Sequence, residues 1–218
     1  MDKNKIIEQT AEFARKNLAN ESTGHDWWHT YRVWKMSLRI ANEEKDAYLF
    51  VVQLAALLHD IADWKFNKGD ESVGPKLARE WLEKLQLDEN IISHVCEIIK
   101  EVSFKGEAEK SKIKTKEGMI VQDADRLDAL GAIGIARVFA FGGYRGNPIY
   151  DPNVKPIKNK TVEQYKRMNA PAINHFYEKL LLLKDLMNTK TGKEIAEGRH
   201  KIMEKFLEDF FKEWEVEG

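Results

Sequence analysis

Residues 49–58, Leu-Phe-Val-Val-Gln-Leu-Ala-Ala-Leu-Leu, constrain the fold more than any other stretch of this chain. Wound as a helix, the run is apolar nearly all round, so it must be enclosed by other elements. It holds ten residues, far short of the roughly 20 needed to span a bilayer. It therefore predicts the central helix of a globular core. The rest of the chain supplies helical partners for it. Five prolines in 218 residues leave long stretches unbroken, and alternating strand patterns are hard to find. The reading is all-α, a single domain over 1–218.

Apolar spacing and end signals predict helices over 2–18, 26–44, 46–59, 73–85 and 89–103. A sixth starts with Thr115 as its N-cap and runs past Phe139, bending at Gly131 or Gly134. Later helices are expected over 161–170, 172–187 and 191–214. In the second helix Trp27, Tyr31, Trp34, Leu38 and Ala41 fall at helical spacing and predict one buried stripe. Residues 142–160 hold two adjacent glycines and three of the five prolines, an irregular segment of the kind that often carries function.

Charge and cysteine exclude several classes. Thirty-five Lys and Arg against 36 Asp and Glu leave a net charge of −1, which argues against extended nucleic acid as a partner. One cysteine, Cys96, excludes an internal disulfide framework and a Cys-rich zinc site. The start, Met1 to Gln9, is polar and lacks the apolar core of a signal peptide. The expectation is a cytoplasmic protein with no membrane partner.

Three segments gather groups that do chemistry. Leu57-Leu58-His59-Asp60 puts a His-Asp pair at the end of the most apolar helix, where a buried, unpaired carboxylate is costly. Asp60 either leaves that helix end for solvent or shares a cation with His59. Gly24-His25-Asp26-Trp27-Trp28-His29 opens the second helix with two histidines four residues apart. Val121 to Leu130 sets Asp123, Asp125 and Asp128 among Val121, Ala124, Leu127 and Leu130, and the spacing alone leaves open which carboxylate matters. Nitrogen and oxygen donors without thiols suit Mn²⁺, Mg²⁺, Fe²⁺, Co²⁺ or Zn²⁺.

The order His29, His59-Asp60, Asp125 resembles the H…HD…D signature of the HD-domain superfamily of metal-dependent phosphohydrolases. With G-H-D-W-W-H-x-x-R-V, A-A-L-L-H-D-I-A-D, D-A-D-R-L-D-A-L-G-A, S-F-K-G at 103–106 and R-G-N-P-I-Y-D-P at 145–152, the chain is similar to the bacterial YpgQ/YedJ-like subgroup. The likeness extends from about Gly24 to the C-terminal helices. It implies a helical bundle with a divalent ion between helices, Mn²⁺ favoured, in a core of about 24–142 against which helices over about 161–215 pack.

The resemblance implies His29, His59, Asp60 and Asp125 as ligands, Asp125 being preferred because Ala124-Asp125-Arg126-Leu127 matches the family's pattern. Asp128 would then orient a ligand histidine or a bound water. His25 would support the ligands or a phosphate, or else pack on Trp28. Asp63, three residues past Asp60, is the implied general acid or base. Lys65, Lys105 and Arg145 are the candidate phosphate contacts, and Tyr150 the candidate nucleoside contact.

The implied reaction is hydrolysis of a small-molecule nucleotide by metal-activated water. Cleavage of (deoxy)nucleoside triphosphates to monophosphate and pyrophosphate leads; phosphomonoesterase or phosphodiesterase action on the same site is the near alternative. Di-iron oxygen chemistry and a non-catalytic nucleotide-binding module are the readings from other classes. The aromatic tail (Phe206, Phe210, Phe211, Trp214) reads as internal packing or as the surface of a homodimer.

Overall fold

The computed structural model describes residues 2–19, 26–62, 72–102, 112–157 and 170–216. In chain order its helices are α1 Lys3–Asn17, α2 Trp27–Glu44, α3 Leu49–Leu58, α4 Val73–Lys84, α5 Glu89–Val102, α6 Lys116–Asp128, α7 Gly131–Tyr144, α8 Ala172–Glu178, a 3₁₀ helix Leu180–Leu186, and α9 Lys190–Trp214. No strand occurs among the described residues. They divide into two compact units, 2–102 with 112–125, and 126–216.

In the first unit α3 is the enclosed centre its sequence predicts. Every residue of it except Leu49 and Gln53 is buried, and α1, α2 and α5 pack on it, with α4 on α5. The helix starts three residues later than expected, because Lys45 and Asp46 both take positive φ, at 51° and 52°. Two successive left-handed residues cannot continue a right-handed helix. The Tyr48 N–H is held instead by the Glu117 carboxylate at 2.8 Å.

The buried line of α2 also differs from the aromatic stripe. Buried are His29, Thr30, Val33, Ser37, Ile40 and Ala41, while Trp27, Tyr31, Trp34 and Leu38 are only half-buried. Of the predicted stripe Ala41 is buried, and the smaller Val33 and Ser37 are buried where the larger rings were expected. Trp34 reaches over from the flank, its indole N–H donating to the Gln53 side-chain oxygen at 3.2 Å. Asp26 caps α2 by accepting the His29 backbone N–H at 2.9 Å, and Thr115 caps α6 as expected, accepting from Gly118 at 3.3 Å.

In the second unit the expected bend lies at Leu130, which is extended, followed by Gly131 at φ +71°. A side chain there would be strained, and Arg199 Cβ stands 3.1 Å from where a Cβ would sit. The helix expected over 172–187 is divided at Lys179 into α8 and the 3₁₀ helix. Helix α9 packs on α7 and the 3₁₀ helix, and Phe206 lies between Phe139 and Phe176, with centroids 5.7 and 5.6 Å away. The helix expected over 161–170 falls, except for Ala170, outside the described residues.

Candidate metal centre

Three helices of the first unit deliver donors to one point. The Asp26 cap places His29 in the first turn of α2. His59 follows directly on α3 as its C-cap, with Asp60 next. Asp125 comes from α6. His29 Nε2 is 3.2 Å from His59 Nε2, 3.3 Å from Asp60 Oδ2 and 3.4 Å from Asp125 Oδ1. His59 Nε2 is 3.6 Å from Asp60 Oδ2 and 3.8 Å from Asp125 Oδ1.

The His29, His59 and Asp125 donors all lie within 4.8 Å of one another, close enough to share a single ion, and Asp60 Oδ2 adjoins the two imidazoles. The tautomer fits as well. His59 Nδ1 donates to the Ala56 carbonyl at 2.8 Å, which leaves the Nε2 lone pair directed at the shared point. A backbone carbonyl in this role fixes the tautomer and the orientation of the ring. The site is graded in exposure: the imidazoles are closed off, while the Asp60 and Asp125 side chains keep 12% and 25% of their surface open. A ligand entering the cluster therefore meets the carboxylate side.

Burial opposes the charge on Asp125, but the hydrogen bond from His29 and the charges of His59 and His29 outweigh it. Together they hold its carboxyl below the usual range. Asp125 is thus an anion across the ordinary pH range, ready to act as a donor.

The structure brings His29, His59 and Asp125 together as one cluster, with Asp60 beside the two imidazoles. Asp128, on the last turn of α6 and in the second unit, is ion-paired with Arg137 at 2.9 Å. Arg145 and Tyr150 also belong to the second unit. Arg145 is exposed at the end of α7. The Tyr150 ring is met by Phe210, Phe211 and Trp214 of α9, at centroid distances of 5.9, 5.4 and 4.9 Å. His25, Asp63, Lys65 and Lys105 lie outside the described residues.

Two further histidines and the cysteine have partners elsewhere. His94 Nε2 approaches the Glu117 carboxylate at 3.7 Å, and His200 approaches Glu204 at 3.3 Å. The Cys96 thiol lies 3.4 Å from the Pro75 carbonyl, and burial pushes its pKa up, the opposite of activation. Trp28, expected only as a packing partner for His25, stands out in the structure. Trp28 is 61% exposed beside the ligand candidate His29. Its place directly before His29 in the G-H-D-W-W-H motif is the sequence signal for it.

The HD domain family model matches residues 27–130. The Bacillus subtilis (strain 168) protein YpgQ is 37% identical over 212 residues, covering 96% of this chain and 94% of YpgQ. A crystal structure of YpgQ in complex with ADP superposes with a TM-score of 0.73 at 33% identity, covering 95% of this chain and 97% of that one. An HD-superfamily hydrolase from Bacillus thuringiensis gives a TM-score of 0.76 at 44% identity, over 98% and 99% of the two chains. A Lactobacillus plantarum protein gives 0.88 at 36% identity, over 99% and 100%.

Proposed function

This chain belongs to the HD-domain superfamily of hydrolases, and from that premise we propose that it is a metal-dependent phosphohydrolase acting on nucleotides, cleaving (deoxy)nucleoside triphosphates to monophosphate and pyrophosphate. The observation that carries the reading is the convergence of two imidazole nitrogens and two carboxylate oxygens within 3.2–3.8 Å of His29 or His59 Nε2. The ADP complex of YpgQ supports a nucleotide as the ligand.

His29, His59, Asp60 and Asp125 would hold the divalent ion, with Mn²⁺ favoured. When bound, such an ion lowers the pKa of water and neutralises phosphate charge. The chain's own residues do the rest. The Ala56 carbonyl keeps the His59 proton on Nδ1, so Nε2 stays a donor. The Asp26 cap holds the His29 backbone. The graded exposure admits substrate from the carboxylate side. Asp63, three residues beyond Asp60 in sequence, is proposed to move a proton to or from the reacting oxygens. Lys65 and Lys105 are the proposed phosphate contacts.

The deciding experiment is a release screen on metal-stripped protein. Nucleoside tri-, di- and monophosphates and cyclic dinucleotides are each supplied with Mn²⁺, Mg²⁺, Co²⁺, Fe²⁺ or Zn²⁺. Pyrophosphate from triphosphates, lost in Asp60→Ala, is the expected outcome. Orthophosphate from monophosphates would replace it with a nucleotidase. Silence across the panel would overturn the hydrolytic reading and favour a binding role or di-iron chemistry.

A further inference from the structure

Helix α2 presents two different faces. Its inward face carries His29 to the donor cluster. Its outer face begins with Trp28, the most exposed aromatic ring among the described residues at 61%. Exposing an indole to this extent forgoes the apolar burial that Trp ordinarily contributes to a core. The ring is nevertheless braced. Tyr31 meets Trp28 edge-on at 6.0 Å between centroids. Tyr31 in turn packs against Trp27 at 6.1 Å and Trp34 at 6.2 Å, and the Trp34 indole N–H is anchored to Gln53 on α3. Lys35 Nζ lies 5.6 Å from the centre of the Tyr31 ring and 5.0 Å from that of Trp34. Between Trp27 and Asn42 the helix carries Arg32, Lys35 and Arg39 and no acidic residue. The result is a fixed aromatic ledge with a positive border, starting one residue from a ligand candidate.

Resting on the reading of the donor cluster as a nucleotide phosphohydrolase site, we propose that Trp28 is the platform on which the substrate's nucleobase stacks. Several features combine to support it. Trp28 directly precedes His29 in the first turn of α2, so the ring stands at the same helix end as a ligand candidate. A braced, exposed indole offers a π-face that tolerates any base. The ring of Tyr150, the aromatic that the sequence put forward for nucleoside contact, is instead engaged by three rings of α9. Stacking on Trp28 contributes affinity for the base and none for the phosphates, so the enzyme would be selective for nucleotides over inorganic polyphosphate while discriminating little among bases.

The test measures binding by calorimetry with Mn²⁺-loaded protein, using ADP and base-free tripolyphosphate as the two probes. Trp28→Ala is expected to weaken ADP about tenfold and to leave tripolyphosphate unchanged, and Trp28→Phe is expected to recover most of the loss. Because the side chain is exposed, the Ala variant should melt with the wild type, which separates lost stacking from lost folding. Equal ADP affinity in Trp28→Ala and wild type would overturn the platform, as would an equal loss for both probes. Wild-type protein that binds no ADP would overturn it too. Wild-type protein that binds ADP in a Trp28-dependent way but releases no pyrophosphate would sink the hydrolytic reading and leave the platform standing.

Discussion

Asp125 and Asp128 lie three residues apart on α6, yet they belong to different units and are compensated in different ways. In the first unit Asp125 faces two imidazoles, His29 at 3.4 Å and His59 at 3.8 Å, and a second carboxylate shares them. In the second unit Asp128 has a guanidinium, Arg137, at 2.9 Å. Both arrangements answer the cost of a carboxylate taken from water. A guanidinium answers it with a permanent charge and paired donors, which makes a structural fixture. Imidazoles answer it with ring nitrogens that can also hold a metal, which makes a site. The chemistry of the partner, more than the depth of burial, separates the two acids.

Changes to the donor cluster should have the largest effect on that contrast. His59→Ala or Asp60→Ala should lose bound divalent ion on dialysis, as measured by elemental analysis; wild-type metal content in either variant would break the cluster's assignment. Asp125→Ala should lower pyrophosphate release by more than the roughly 10- to 100-fold that removal of a residue behind the ligands costs. Asp128→Ala should cost less activity, and steady-state rates in the reverse order would exchange the two roles.

Asp128→Ala should instead appear in stability. Breaking a buried ion pair costs about 3–5 kcal/mol. Arg137 keeps 19% of its side chain exposed, so about 2 kcal/mol in a denaturant titration is the expectation after solvent screening. Removing Arg137 as well should recover part of it, and additive losses would show that the pair is not coupled.

Two smaller effects sharpen the picture of the first unit. Gly118→Ala would place a methyl 2.8 Å from Ile113 Cγ2, so overpacking of about 1–3 kcal/mol should exceed the helix propensity gained, roughly 1 kcal/mol. A variant that melts above wild type would show that Ile113 yields. Asp26→Ala removes the cap on the His29 N–H and should cost about 1 kcal/mol. If its metal affinity also falls, the cap positions the ligand as well as the helix.

Much of the fold was legible in the chain because the signals were local. The apolar run at 49–58 had no helical face to spare for water, and it became the enclosed helix. Asp26 and Thr115 announced helix starts through side chains that reach only their own first turn. Reading failed where partners decide. The aromatic spacing in α2 predicted the wrong buried line, since side-chain spacing defines a stripe but the neighbouring helix chooses which stripe to cover. Small Val33 and Ser37 are buried in place of the larger rings, and of the predicted stripe Ala41 is buried as expected.

The candidate site divides in the same way. His59 and Asp60 are adjacent, and their place at the end of an apolar helix followed from sequence alone. His29 and Asp125 stand 30 and 66 residues away from His59, and a family pattern was needed to join them. Spacing could not choose between Asp125 and Asp128, which three residues of helical rotation leave within about 60° of each other. Only the packing of α2, α3 and α6 put one of them 3.4 Å from an imidazole, and only the fold of the second unit gave the other an arginine. Helical periodicity is a property of the chain itself, whereas a coordination cluster is a set of distances between segments, and those exist only once the segments have packed.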